Sequence, residues 1–127
     1  MGEFVKYNLF IGRWSPFHCG HKHIIDTFLM NKKPVCVAVR DGHEKWSAFQ
    51  RKRMIEACYE DELRSGLLKV IIIPDIDGVI IGRQVGYYIV EAPEDVKRIS
   101  GTEIRAGLSS EVPREVQAII DELEDSI

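Results

Sequence analysis

Residues 7–25, "YNLFIGRWSPFHCGHKHII", run from a short apolar stretch through a turn into a second apolar pattern. They place three histidines and a cysteine within six positions. The run "YNLFIG" (7–12), closed by glycine, has the length and composition of a buried strand. From Gly20 to about Met30, Ile24, Ile25, Phe28 and Leu29 recur at helical spacing. Lys32 and Lys33 suit the negative end of that helix, and Pro34 prevents its continuation. A strand, a histidine-rich turn and a helix are therefore expected in that order.

The same alternation continues. "VCVAV" (35–39) reads as a second buried strand and "RDGHEKW" (40–46) as a loop. "SAFQRKRMIEACYEDEL" (47–63) reads as one amphipathic helix capped by Ser47, and "KVIIIP" (69–74) as a third strand. Strands that alternate with helices predict a parallel sheet with right-handed crossovers. Apolar runs without polar alternation predict cover on both faces of that sheet. The expectation is a Rossmann-like α/β fold, a parallel sheet with flanking helices, in one small domain spanning 1–127. Further on, "YYIV" (87–90) is expected to be a strand, while "VII" (79–81) fits no single element. "ISGTEIRAGL" offers Ser100 or Thr102 as a helix cap, and "VPREVQAIIDELEDSI" a last helix with Pro113 in its first turn.

Bulk properties narrow the function classes. The 127 residues suffice for one core, and a formal net charge of −3 offers no general attraction for nucleic acid or an anionic membrane. No apolar window approaches a membrane span, and the first residues lack a signal peptide's basic start and apolar core. Cys19, Cys36 and Cys58 are odd in number and widely spaced, which fits reduced thiols in a cytoplasm. Any bound anion must then be held by a local cluster of donors.

Two readings of the histidine turn compete. His18, Cys19, His21 and His23 could cage a metal, but structural zinc ligands usually come as two separated pairs, and no second pair follows here. Alternatively, His18 and His21 clamp a phosphate at the mouth of a helix, where unpaired N–H groups favour anions. Gly12 and Gly20 then permit close backbone approach and Pro16 stiffens the turn. The second reading uses more of the residues, and it needs no metal ligand from the chain.

"GRWSPFHCGH" resembles the GRxxPFHxGH signature of the cytidylyltransferase-like nucleotidyltransferases. "ISGTEIR" resembles that superfamily's second signature, ISxTxIR, and "WSAFQRKRMI" its intermediate arginine segment. The resemblance implies transfer of a nucleoside monophosphate from an NTP, as its Mg2+ complex, to a small phosphorylated acceptor, with release of pyrophosphate. It implies that His18, His21 and Arg105 are catalytic. Gly12, Arg13, Phe17, Gly20, Arg51, Ser100, Gly101 and Thr102 would bind the nucleotide. For Arg51 the competing reading is a solvated helix residue. Relatives commonly form homo-oligomers, so a homodimer is expected.

The chain also departs from the pattern. Relatives often carry a lysine two positions after the second histidine; His23 stands there, with Lys22 beside it. The segment between the third strand and "ISGTEIR" is shorter than in most relatives, so acceptor identity does not carry over. Lys22, Arg40, Asp41 and Arg83 are the candidate acceptor residues. "GRQVGY" around Arg83 looks like a pattern in small phage-borne nucleotidyltransferases. Both signatures and the tail look most like archaeal-type nicotinamide-mononucleotide adenylyltransferases, which favours ATP. The short length instead resembles glycerol-3-phosphate cytidylyltransferase and CTP. A non-catalytic nucleotide sensor on the same fold is the alternative of another class.

Overall fold

A computed structural model describes residues 5–82, 88–89 and 111–125. The protein has a Rossmann-like α/β fold. Its elements are β1 (Asn8–Gly12), α1 (Cys19–Met30), β2 (Val35–Asp41), α2 (Ala48–Ala57), α3 (Glu60–Ser65), β3 (Leu68–Pro74) and α4 (Arg114–Asp125). The strands form a parallel sheet in the order β1-β2-β3. Asn8 pairs with Val35 through to Gly12 with Val39, and Val35 pairs with Leu68 through to Asp41 with Pro74.

Two successive right-handed crossovers moving the same way across a sheet place their helices on one face. The core reflects this. Ile25 and Leu29 of α1 and Met54 and Ile55 of α2 cluster with Val35, Val37 and Val39 of the central strand, and Val116, Ile119 and Ile120 of α4 join them. Exposed Arg53 and Glu122 form an ion pair between α2 and α4. The opposite face carries Leu9 and Ile71, which are 58% and 41% exposed. The cover expected on both faces is thus present on one, among the described residues.

The helix expected over 47–63 is two helices. Ser47 and Gln50 cap α2 reciprocally, through Gln50 N–H to Ser47 Oγ (3.1 Å) and Ser47 N–H to Gln50 Oε1 (2.9 Å). The helix then stops because Tyr59 leaves helical geometry (φ −139°, ψ 43°). Its ring is drawn into the core, and its hydroxyl donates to Asp26 Oδ1 at 2.8 Å. Glu60, Asp61 and Glu62 open α3 with negative charge at its positive end. Gly66 closes it in the left-handed conformation (φ 82°), which a residue without Cβ adopts at little cost.

Smaller differences follow the same physics. Pro113 lies just ahead of α4 and accepts from the N–H groups of Val116 and Gln117, so it caps rather than enters the helix. Residues 79–81 are irregular and exposed. Of the strand expected at 87–90, only Tyr88 and Ile89 are described, and neither is in a strand. The Tyr88 hydroxyl donates to the Asn8 side chain. "ISGTEIR" and Arg83 lie outside the described residues. No described helix is long and apolar enough to cross a membrane.

Gly12 ends β1 beneath the Trp14 indole, and a Cβ there would lie 3.0–3.2 Å from three ring carbons. The indole cannot easily yield, because its Nε1–H donates to the Ala38 carbonyl at 2.9 Å. Gly12→Ala should therefore destabilise the protein by about 1–3 kcal/mol, read as a lower urea midpoint with an unchanged slope. An unchanged midpoint would show that the ring moves aside freely.

Candidate functional site

The carboxyl ends of parallel strands lie at one edge of the sheet, and in open sheets of this kind ligands bind beyond that edge. The loop 13–18 leaves β1 there. Trp14, Ser15, Pro16, Phe17 and His18 are all buried. Trp14 takes a positive φ of 52°, a left-handed conformation costing a bulky residue about 1–2 kcal/mol. The Ala38 hydrogen bond and the packing of the ring hold it there.

His18 and His21 form a reciprocal helix cap. The His21 N–H donates to His18 Nδ1, and the His18 N–H donates to His21 Nδ1, both at 3.3 Å. The rings stack with centroids 3.5 Å apart and planes 15° from parallel. Since both Nδ1 atoms accept, each neutral ring carries its proton on Nε2. Burial lowers the pKa of His18 from 6.5 to about 4. Burial, with His18 close by, lowers that of His21 to about 3. At neutral pH the pair offers two uncharged N–H donors.

Aromatic walls fix His21. The Trp14 ring meets it nearly edge-on at 4.7 Å, and the Phe17 ring lies roughly parallel to it at 5.8 Å. The first turn of α1 is less open to anions than the sequence implies. His21 N–H is spent on His18, and Cys19 N–H donates to the Glu111 carbonyl at 2.9 Å. The imidazole Nε2–H groups are donors that the cap leaves uncommitted.

Arg51 is fully buried (0% exposed), so it is not a solvated helix residue. Its Nε donates to the Trp46 carbonyl, and its Nη1 to the carbonyls of Arg13 and Arg40. It therefore ties the ends of β1 and β2 to the start of α2, and Nη2 has no hydrogen-bond partner. Burial pushes its pKa down, against the pull of Glu44 and Asp41. Gly20, in the first turn of α1, is buried.

The other expected residues divide. Arg13 pairs with Glu44 at 3.6 Å. Arg40 donates to Asp75 Oδ1 (2.9 and 3.2 Å) and to the Ile76 carbonyl (2.9 Å). Asp41 is exposed at the end of β2. Lys22 is drawn along α1 to Asp26 at 2.7 Å and lies over the Tyr59 ring. With Asp26, Tyr59 and Glu62 it lines a groove of about 320 Å³ on the flank of α1, apart from the histidine pair. Ser100, Gly101, Thr102, Arg105 and Arg83 lie outside the described residues. Sequence reasoning missed Trp14 and Glu111: an indole at a left-handed position and a main-chain carbonyl leave no residue-type signal.

Among the described residues, no group of three or more His, Cys, Asp or Glu side chains is arranged to hold a metal ion. His18 and His21 turn Nδ1 to the backbone, and Cys19 and His23 are exposed on the first turns of α1. No protein-family model matches the chain.

The buried histidines make stability depend on pH. Between about 6.5 and the folded values near 4 and 3, the unfolded chain binds protons that the folded protein does not. Stability is therefore retained above 6.5 and lost as pH falls through that window. The double variant His18→Asn with His21→Gln keeps an ordinary capping box without the titrating rings. Urea unfolding at pH 7.5 and pH 5 should show a larger loss in the parent than in the variant. Equal losses would show that other groups govern acid sensitivity.

Proposed function

We propose that the protein is a nucleotidyltransferase of the cytidylyltransferase-like superfamily. It transfers a nucleoside monophosphate from magnesium–NTP to a small phosphorylated acceptor and releases pyrophosphate. The observation that carries this reading is the reciprocal His18–His21 cap. It lies at the carboxyl edge of a parallel sheet, inside a sequence that resembles the superfamily's first signature. ATP is preferred over CTP, because both signatures and the tail resemble adenylyltransferases.

In this reaction an acceptor phosphate oxygen attacks the α-phosphorus, and the bond from that phosphorus to the bridging oxygen of pyrophosphate breaks. The protein forms no covalent intermediate. Its work is to align the attack and to stabilise charge on the phosphate oxygens. His18 and His21 suit that task as neutral Nε2–H donors. They need not release a proton to bind, and they strengthen as negative charge builds on the oxygens they meet. Ser100, Thr102 and Arg105 hold the β- and γ-phosphates.

Arg51, sealed beneath the loops and held by three carbonyls, adds its positive charge near the phosphates without touching them. Magnesium enters as part of the substrate. Glu44 and Asp75 at this edge are ion-paired to Arg13 and Arg40, which fits an ion carried by the triphosphate rather than by a carboxylate cage.

Pyrophosphate release should be measured with magnesium, each of the four NTPs and a panel of phosphorylated acceptors. Release with ATP above CTP is expected. Silence together with magnesium-dependent NTP binding would leave an acceptor outside the panel or a nucleotide sensor, and silence without binding would overturn the reading. His21→Ala should lower turnover about 100-fold while changing NTP affinity only a few-fold. Equal losses in both would make His21 a ground-state ligand.

A further inference from the structure

We propose that Trp14 is a positioning residue of the transfer site: its indole, pinned to the Ala38 carbonyl, holds the His21 ring where Nε2–H is offered to the α-phosphate. The proposal rests on the nucleotidyltransferase reading and adds a residue outside the histidine pair to it. Four observations carry it. The indole Nε1–H donates to Ala38 of the central strand at 2.9 Å, so the ring is anchored to the most buried part of the sheet. On one side the ring closes over Gly12, where no Cβ would fit without crowding it. On another it meets the His21 ring at 4.7 Å and 80°. Its backbone holds a left-handed φ of 52°, which no glycine is present to relieve.

A packing residue could fill this volume without a hydrogen bond and without a strained backbone. The combination instead fixes a flat ring edge-on to an imidazole whose other nitrogen is already committed. The cap sets which His21 nitrogen carries the proton, while Trp14 and Phe17 set where the ring plane lies. His21 then has neither a second tautomer nor a free rotamer, so its donor meets the transition state without reorganising. Trp14 also shields the ring from water, and the charged groups nearby are engaged elsewhere. Lys22 is held by Asp26, Arg13 by Glu44 and Arg51 by three carbonyls; Tyr59 stands behind Phe17, leaving His18 as the titratable ring against His21.

The test uses the full chain and two variants, Trp14→Leu and Trp14→Phe, with folding checked by circular dichroism. Imidazole signals of His21 are followed by NMR against pH, and kcat and KM are measured from pH 8 down to the lowest pH at which the protein stays folded. In Trp14→Leu the His21 titration should move up by about one pH unit or more. Its Nε2-bound proton signal should broaden, and kcat should fall about tenfold with KM for the NTP little changed. A new limb should then enter the acid side of the kcat profile, at the shifted His21 titration.

Trp14→Phe, which keeps a ring but loses the Ala38 bond, should titrate between the two and serves alone if the leucine variant does not fold. His21 signals and titration unchanged from the parent in either folded variant would overturn the proposal, even if kcat fell. Parent His21 signals that ignore the magnesium complexes of all four NTPs would instead overturn the nucleotide reading beneath it.

Discussion

The arrangement at the sheet edge depends on one buried cation. The Arg51 guanidinium lies beneath the ends of β1 and β2 and the approach to α2, and it bonds to a carbonyl from each. Burying a charge is costly unless its donors are satisfied. Here three carbonyl dipoles offset much of that cost. They do so only when the loops stand in one mutual arrangement. A neutral side chain of the same size would fill the space but leave the loops free to shift. The end of β1 is thereby registered against the loop that joins β2 to α2.

The histidine cap uses that frame. A helix N-terminus needs acceptors for its first N–H groups, and Ser or Asn would serve with less bulk. At Ser47, serine and glutamine do this job. At α1 the same geometry is built from imidazoles, which leaves a second nitrogen on each ring for other work. The cap therefore does two things at once: it starts the helix and it selects the tautomer. Burial keeps both rings uncharged, so they add no like-charge repulsion at a centroid spacing of 3.5 Å.

Much of the fold was legible because local signals and tertiary demands agree. The glycine after 7–11, the lysines and proline after Met30 and the serine before Ala48 mark boundaries that the structure keeps within a residue or two. The break at Tyr59 was not legible. No residue near it disfavours a helix strongly, and it arises because a ring is pulled into the core toward Asp26. The histidine pair was legible from spacing, whereas its tautomer follows from where the two main-chain N–H groups point. Arg51 was visible as a basic residue in "RKR", but nothing in that triplet distinguishes the buried member from its neighbours Lys52 and Arg53, which pair with Glu56 and Glu122.

The bond from Cys19 N–H to the Glu111 carbonyl bears on the order of folding. It closes a loop spanning most of the chain, and the entropy of such closure must be met before the contact returns anything. The neighbouring β1–α1–β2 contacts are local by comparison and can form early, since short-range contacts are the faster ones. The helix that carries the histidines can therefore exist before its own first turn is complete. The Cys19 N–H meets its acceptor only once the segment leading into α4 has docked, whereas the His18–His21 bonds on either side of it are local to the turn.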